Sequence, residues 1–447
     1  MSAEAIAVDS RARVGTRLLG FPFKVLYLLL LAPEHVFLLA LTAMLFCPPD
    51  LQVFPADRLV FALLVAGACL RFLLRCDRFR MYAASWPMLV LLILGLCGTV
   101  FQPYDSKAWS VLAAQWIVPV AMFHLSGTVF STAESRRKLE WFSIAVLLYL
   151  SLIPVFWLLD IKWLIFPRYI LDESIGIHAD RARGPFLQAV ANGMCLNMLA
   201  IVALHAFDRR PATIPNPRRF SRAAFLATLL LVVTPVALLA TKTRAVWLGA
   251  ALSGALIVLF ARGRRSRVVV VAVVLLAAVV MSYAWLLQPG PGELIERLQD
   301  RSPIEFRVDM YRAGWQMFTE KRLLGWGSDA NIQPEVERRV SSFRPEYYIF
   351  HNTYLQLAVQ HGVVGVALYI WMFIAFFRLG TLSSFNQAAR ECPFGPGFGL
   401  MWRIMLCVYL LNATVVVMNY QFLNGYMFTI AGILAAHQKD EGLRGRP

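Results

Sequence analysis

The stretch RGRRSRVVVVAVVLLAAVV, residues 262–280, contains the pattern that decides the fold. Four arginines are followed directly by an apolar run that extends to residue 287. A helix that crosses a bilayer needs about 20 mostly apolar residues, and cationic residues collect at its cytoplasmic end. We therefore predict a membrane-spanning helix over 268–287, with residues 262–267 on the cytoplasmic side.

The composition of the whole chain agrees with this pattern. Of its 447 residues, 59% are apolar and 16% are charged, against about 45–50% and about 25% in soluble domains. Both a soluble globule and a disordered chain are therefore excluded. The same criterion finds about twelve candidate spans, so we predict an all-α, polytopic membrane protein with one membrane domain over 1–447. The candidates are 25–47, 57–74, 86–101, 109–130, 140–160, 186–206, 223–240, 245–261, 268–287, 352–377, 397–418 and 425–437. Pro33 predicts a kink in the first of them.

The cations define an orientation. Lys and Arg number 43 and Asp and Glu 27, a net charge of +16, which in a soluble protein would suggest nucleic acid as a partner. Here 25 of the 43 lie in alternate loops, while the short loops on the other side hold only Arg58, Lys107, Lys242 and Arg244. The positive-inside rule then places both termini in the cytoplasm.

Two longer segments face outward, 161–185 and 288–350, the second between spans 9 and 10. Ser302-Pro303-Ile304-Glu305 has the residues of a helix start, with a capping Ser, Pro at the first helical position and Glu to complete a capping box. Apolar residues follow at helical spacing, which predicts an amphipathic helix on the membrane surface. They are Val308, Tyr311, Trp315 and Phe318.

A few cations lie on the outward side, where the positive-inside rule disfavours them. Arg183 and Arg244 stand at span ends, and Arg snorkels readily from such positions to lipid headgroups. Alternatively, the bundle brings them together, and two guanidinium forks then suit a diphosphate. His351 begins a span on the same side, where an imidazole can take a proton from a hydroxyl. Neither a metal-ligand spacing nor a nucleotide-binding motif is found, so we expect no metal and no cofactor.

Several motifs between residues 181 and 365 resemble those of bacterial O-antigen ligases. His351-Asn352, nine residues and then Gly362-Val363-Val364-Gly365 resembles the family's His-(Asn/Ser/Gln)-x9-Gly-x-x-(Gly/Thr/Tyr) signature. Arg307-x3-Tyr311 followed by 323–327 resembles its Arg-x3-Trp…Pro-Leu-x-Gly-x-Gly stretch, with Tyr311 in place of Trp and Arg322 in place of Pro. The stretch 183–186 resembles its Arg-x-x-Gly-Phe block, and 243–245 its Ser-Arg-Gly/Ala turn.

The resemblance extends to the superfamily of O-antigen ligases, Wzy-type polysaccharide polymerases and O-oligosaccharyltransferases. It implies a metal-independent, inverting glycosyltransferase of the bacterial inner membrane that uses a polyprenyl-diphosphate-linked glycan at the periplasmic face. His351 would be the general base, and Arg183 and Arg244 would bind the diphosphate. Four further residues would support them, with Asn352 orienting the His or capping its helix. These are Arg307, Asn352, Arg181 and Arg312.

Ligation of the glycan to lipid A-core is the leading prediction for the reaction. A Wzy-type polymerase would use the same donor with a second lipid-linked chain as the acceptor, and a sugar hydroxyl attacks in both cases. A protein-directed oligosaccharyltransferase is a third alternative. A polysaccharide transporter or flippase is the alternative from a different class, although the chain lacks the two similar halves that transporters often have.

Overall fold

The structure is a computed structural model that describes residues 28–48, 55–74, 77, 79–176, 181–209, 225–261, 266–274, 302–327, 329–340, 350–379 and 392–444. All regular structure within these residues is helical, as predicted. The helices are α1 (Pro33–Phe46), α2 (Ala56–Leu73), α3 (Ser85–Val100), α4 (Ser106–Val129), α5 (Ala133–Leu158), α6 (Ala189–Asp208), α7 (Phe225–Ala240), α8 (Arg244–Phe260), α9 (Ser302–Glu320), α10 (Asp329–Arg339), α11 (Thr353–Leu379), α12 (Gly399–Ala413) and α13 (Gln421–Arg444).

Four of the described helices are long and apolar enough to cross a membrane, namely α4, α5, α6 and α11. Five shorter apolar helices of 10–17 residues coincide with other predicted spans; they are α1, α3, α7, α8 and α12. The ninth predicted span is helical at 266–274, and its remainder lies outside the described residues. The helical positions are thus those that the apolar runs predict, and the total of twelve crossings stays a prediction.

The first and last helices show how local sequence determines where helices begin and how they pack. The first apolar run breaks at Ala32, and α1 starts at Pro33, because proline disfavours helical backbone in the residue before it. The last helix, α13, is longer than the predicted span 425–437, and every residue from 422 to 436 is buried. A helix that is apolar on all sides belongs in a core. Accordingly α13 packs along α4 at the centre of the bundle.

Helix α4 contains one wide turn, at Ala113–Ile117. Pro119 has no N–H to donate to the carbonyl of Gln115, and the Val118 N–H bonds five residues back, to Ala113. Such π-bulges absorb a helical irregularity locally. The wide turn carries Gln115 and Trp116, which face α11.

Helices α9 and α10 and the first part of α11 form an outer unit with a small core of its own. The helix predicted from Ser302 is present, but its buried residues are Met310, Ala313 and Met317. They pack on apolar residues of the two other helices. Trp315, from the predicted apolar face, is 61% exposed. Helix α9 therefore buries one face in the core of the outer unit and exposes apolar residues on another face. A helix that only lay on the membrane surface, as predicted, would have no face in a protein core.

Candidate functional site

The long helix α11 is broken inside the His-Asn signature. Gly362 has φ 62° and ψ −159°, and it separates 353–361 from 363–379. This backbone conformation is open to glycine and strained for other residues. A Cβ at Gly362 would also overlap the carbonyl oxygens of Arg322 and Leu323. The first glycine of the signature is therefore required by the backbone, both by its φ and by close approach.

The loop 322–327 fills the break and bonds to both sides of it. The N–H groups of Trp326 and Gly327 donate to the carbonyls of Val359 and Gln360, at 2.8 and 2.9 Å. In the other direction, the N–H groups of Val363 and Val364 donate to the carbonyls of residues 322 and 323, at 2.7 and 3.4 Å. We call these four backbone hydrogen bonds the interlock. They pair groups that the helix break would otherwise leave unsatisfied.

Two departures from the family pattern leave the interlock intact. Arg322, which replaces the usual Pro, takes part through its main-chain carbonyl, while its side chain is exposed and donates to the Thr319 carbonyl. Tyr311, which replaces the usual Trp, directs its hydroxyl to the His351 carbonyl at 3.4 Å. Neither replacement disturbs the join between the two motifs.

His351 stands just before α11 with a φ of +51°. Left-handed backbone is uncommon outside glycine, and His is among the residues that adopt it most readily. Asn352 caps the helix, because its Oδ1 accepts the N–H groups of Tyr354 and Leu355 at 2.9 and 3.1 Å. Thr353 then fixes the helix start to the bundle, donating to the Val416 carbonyl at 2.7 Å. The cap turns the chain sharply at His351, while Thr353 holds it in place.

The environment of His351 keeps its imidazole neutral. Burial, together with the nearby positive charge of Arg307, lowers the pKa of His351 to about 4. The side chain is half-buried and Arg307 is exposed on α9. At neutral pH the ring therefore has a lone pair available for a proton, as a general base requires. Arg312, also on α9, lies apart from this pair and forms an ion pair with Asp309 at 3.5 Å.

Arg183 is placed differently from the open, ligand-facing arginine that the sequence suggests. It is 2% exposed, and its Nε, Nη1 and Nη2 donate to main-chain carbonyls of the preceding loop. The acceptors are Ile170, Asp172 and Ile175. This arginine therefore holds the outward loop together, and a contact with diphosphate stays a prediction for it. Arg181, two residues earlier, is half-buried.

Arg244 lies at the first position of α8 and is exposed. A tight turn precedes it, with Lys242 at φ +47°. The indole of Trp247 fixes this turn by donating to the Leu238 carbonyl at 3.0 Å. The Ala182 N–H donates to the carbonyl at position 240 at 3.0 Å. The segments that carry Arg183 and Arg244 are thus joined through their main chains.

The packing of α8 on α12 places Arg244 and His351 at the same end of the bundle. A Cβ at Gly249, five residues after Arg244, would meet Asn412 near the end of α12. The residues that follow α12 are those that anchor Thr353, next to His351. The segments that carry Arg244 and His351 therefore both lie near the C-terminal end of α12. The predicted orientation, which puts both residues on the outward side, requires this.

A polar cleft beside α11 was not anticipated from the sequence. Gln356 and Gln360 both donate to the Asp329 carboxylate, at 2.9 and 3.0 Å, and so tie α10 to α11. Burial raises the pKa of Asp329, and these two N–H donors oppose it in part. In the described part of the chain, the Gln356 Oε1 and the Tyr369 hydroxyl are buried with no hydrogen-bond partner, and both residues line the cleft. Two glutamines four residues apart in an apolar run are the signal that points to it.

Comparison with known families identifies this region. The family model described as O-antigen ligase matches residues 226–370, a segment that contains Arg244, Arg307, the interlock and His351. No curated protein matches the chain. The apolar helices and the family match together indicate a membrane protein. Residues 226–370 are therefore a domain of the O-antigen ligase family, as the motifs in the sequence indicated.

Proposed function

We propose that the protein transfers a glycan from a polyprenyl-diphosphate carrier to a sugar hydroxyl, and that the acceptor is lipid A-core. The observation that carries the proposal is His351, a neutral and half-buried imidazole next to Arg307, at the start of a helix that the interlock fixes. The family match over the same residues supports it. The active site would lie at the periplasmic face of a bacterial inner membrane, with both termini in the cytoplasm.

In this mechanism His351 takes the proton of the acceptor hydroxyl as its oxygen attacks the anomeric carbon. A new C–O bond forms there while the bond to the carrier breaks, and the diphosphate leaves with the electron pair. In-line attack of this kind inverts the anomeric centre. The glycosyl–phosphate bond supplies the driving force, so neither nucleotide nor metal is part of the proposed step.

The cations act on the leaving group in this scheme. Arg244 and Arg307 are exposed at the same end of the bundle as His351, and they would stabilise the charge that develops on the diphosphate. Arg183 would position the loop that faces the donor, because its guanidinium is occupied by that loop's carbonyls. Arg181 and Arg312 would add to the positive field around the site, and Asn352 sets the direction of the chain at His351.

Reconstitution of the purified protein with a polyprenyl-diphosphate glycan, EDTA and no nucleotide tests the proposal. With lipid A-core as the acceptor, we expect a glycan-bearing lipid and release of the carrier diphosphate. Longer lipid-linked glycan formed without lipid A-core would instead identify a polymerase. Movement of intact donor across the vesicle membrane with no transfer product would identify a transporter and contradict the proposal.

A further inference from the structure

A second polar cavity lies at the end of the bundle opposite His351. Helix α5 runs from this end to the loop that holds Arg183, and α13 runs to it from the segment that anchors Thr353. The cavity has a volume of ≈ 560 Å³. Its polar lining comes from the first turn of α5, the last turns of α13 and the chain before α3. The charged and titratable residues of this lining are Arg136, His437, Asp440, Asp77 and Arg80.

Arg136 is the unusual member of this lining. It is 7% exposed; its Nε donates to the Thr132 carbonyl at 3.2 Å, and its Nη1 lies 3.5 Å from the His437 Nδ1. Among the residues that the structure describes, no carboxylate lies within ion-pair distance of this guanidinium. The two carboxylates of the cavity are engaged elsewhere, Asp77 with Arg71 and Asp440 with Arg80, each at 2.6 Å.

Two other arginines with little exposure show what Arg136 lacks. Arg209 forms an ion pair with the buried Glu140, and Arg183 is surrounded by main-chain carbonyls. A buried cation is costly unless an anion or several hydrogen-bond acceptors compensate for its lost hydration. Arg136 has one such carbonyl, two weaker partners in the Cys392 thiol and the His437 ring, and an open cavity beside it, which is the arrangement expected of a site that an external anion completes.

Tyr82 provides a second, independent observation. It is 9% exposed, and within the described residues its hydroxyl has no hydrogen-bond partner. A Cβ at Gly127, which lines the cavity, would stand 3.0 Å from this hydroxyl. The hydroxyl therefore lies directly beside the cavity wall at Gly127, and Tyr82 itself lines a neighbouring cavity.

We propose that this cavity binds the phosphate group of an anionic phospholipid. A guanidinium fork matches two phosphate oxygens, and the Tyr82 hydroxyl adds one donor. A neighbouring cavity is lined by Tyr82 and Lys439, and its wall on α11 includes Trp371 and Ile374, which are 51% and 47% exposed. An apolar wall next to a phosphate site suits acyl chains, and basic pockets between helices bind such headgroups. The positive-inside pattern predicts the cytoplasmic leaflet as the source of the lipid.

Lipid binding to the full chain in neutral detergent tests the proposal. Native mass spectrometry would measure retention of phosphatidylglycerol against phosphatidylcholine, with Arg136→Gln compared with Arg137→Gln. Arg137 is an exposed cation beside Arg136, so this control removes the same charge from the surface. We expect preferential retention of phosphatidylglycerol, weakened about tenfold by Arg136→Gln and little by the control, which is the effect expected from losing a charge-assisted hydrogen bond.

Additional measurements distinguish a lipid phosphate from free phosphate, and a second variant controls for misfolding. Tyr82→Phe removes only a hydroxyl, and it should weaken retention of phosphatidylglycerol by a smaller factor even if Arg136→Gln folds poorly. Thermal stability should rise with phosphatidylglycerol and not with inorganic phosphate. An equal rise with inorganic phosphate would identify a site for free phosphate and overturn the lipid source. Equal retention by wild type, Arg136→Gln and Tyr82→Phe would overturn the site itself.

Discussion

The outer unit and the membrane bundle are held together by different interactions. In the bundle, α13 is buried over residues 422–436 by side chains of its neighbours, and its close approach to α4 requires a glycine, because a Cβ at Gly432 would overlap the Phe123 carbonyl oxygen. In the outer unit, the decisive contacts are the four backbone hydrogen bonds of the interlock. Side-chain packing between helices therefore holds the bundle together, whereas main-chain hydrogen bonds between a loop and a broken helix join the parts of the outer unit, and the family motifs fall mainly in the second.

The strongest test of this contrast is Gly362→Ala. The added methyl group would meet the carbonyls of Arg322 and Leu323 at a backbone conformation that alanine disfavours, a cost of about 3 kcal/mol or more. We expect glycan transfer to be abolished and the outer unit to exchange amide hydrogens rapidly, while α13 stays protected. Gly254→Ala in α8 is the control, since its Cβ would meet only a Val270 methyl at 3.3 Å. Wild-type hydrogen exchange around residues 322–327 in Gly362→Ala would refute the role of the interlock.

His351→Asn separates chemistry from backbone geometry within the outer unit. Asparagine adopts left-handed backbone readily, so the variant should fold and keep its thermal stability. It cannot act as a base at neutral pH, and we expect transfer to fall by about 10²–10⁴-fold. Initial rates in the reconstituted assay, with donor binding measured in parallel, would check this. Retained activity would remove His351 from the mechanism.

Two arginines sharpen the contrast between structural and catalytic cations. Arg183→Ala should lower the free energy of unfolding by about 3 kcal/mol, because three main-chain carbonyls, that of the buried Ile170 among them, lose a charged donor. Arg244→Ala should change stability by less than about 1 kcal/mol and raise the KM for the lipid-linked donor. Unfolding in detergent and steady-state kinetics measure the two effects. Unchanged stability in Arg183→Ala would refute its role in holding the loop.

The smallest expected effect concerns pH. Burial and the charge of Arg307 lower the pKa of His351 to about 4. The imidazole therefore becomes protonated, and stops acting as a base, only as the pH falls through that value. Arg307→Gln removes a positive neighbour, which favours the protonated ring and raises the pKa. The acid limb of kcat/KM should therefore move to higher pH. Arg312→Gln, which loses an ion pair with Asp309, should leave the acid limb of kcat/KM in place. An equal shift in both variants would contradict a specific effect of Arg307 on the pKa of His351.

The sequence predicts the structure correctly where local sequence alone determines where a helix lies. Apolar runs place the helices of the bundle, the first run is interrupted at Pro33 as predicted, and the helix predicted from Ser302 is present. The burial of Arg183 was not foreseeable, because the carbonyls that it binds converge only in the folded loop. The interlock joins residues that are 33 or 41 positions apart in the chain. The motifs indicated that both segments are important, but they did not indicate that the segments are in contact.

The interlock has a consequence for how this segment can vary between proteins. Its bonds fix the residues on each side of the helix break and the loop that fills it. The chain between them contains α10, which is tied back through Asp329 and contributes Ile332 and Val336 to the core of the outer unit. A single residue added within 322–327 or 359–364 would shift the bonds out of register, and one added within α10 would turn its apolar side chains away from that core. Changes in chain length between related proteins are therefore expected outside these segments rather than within them.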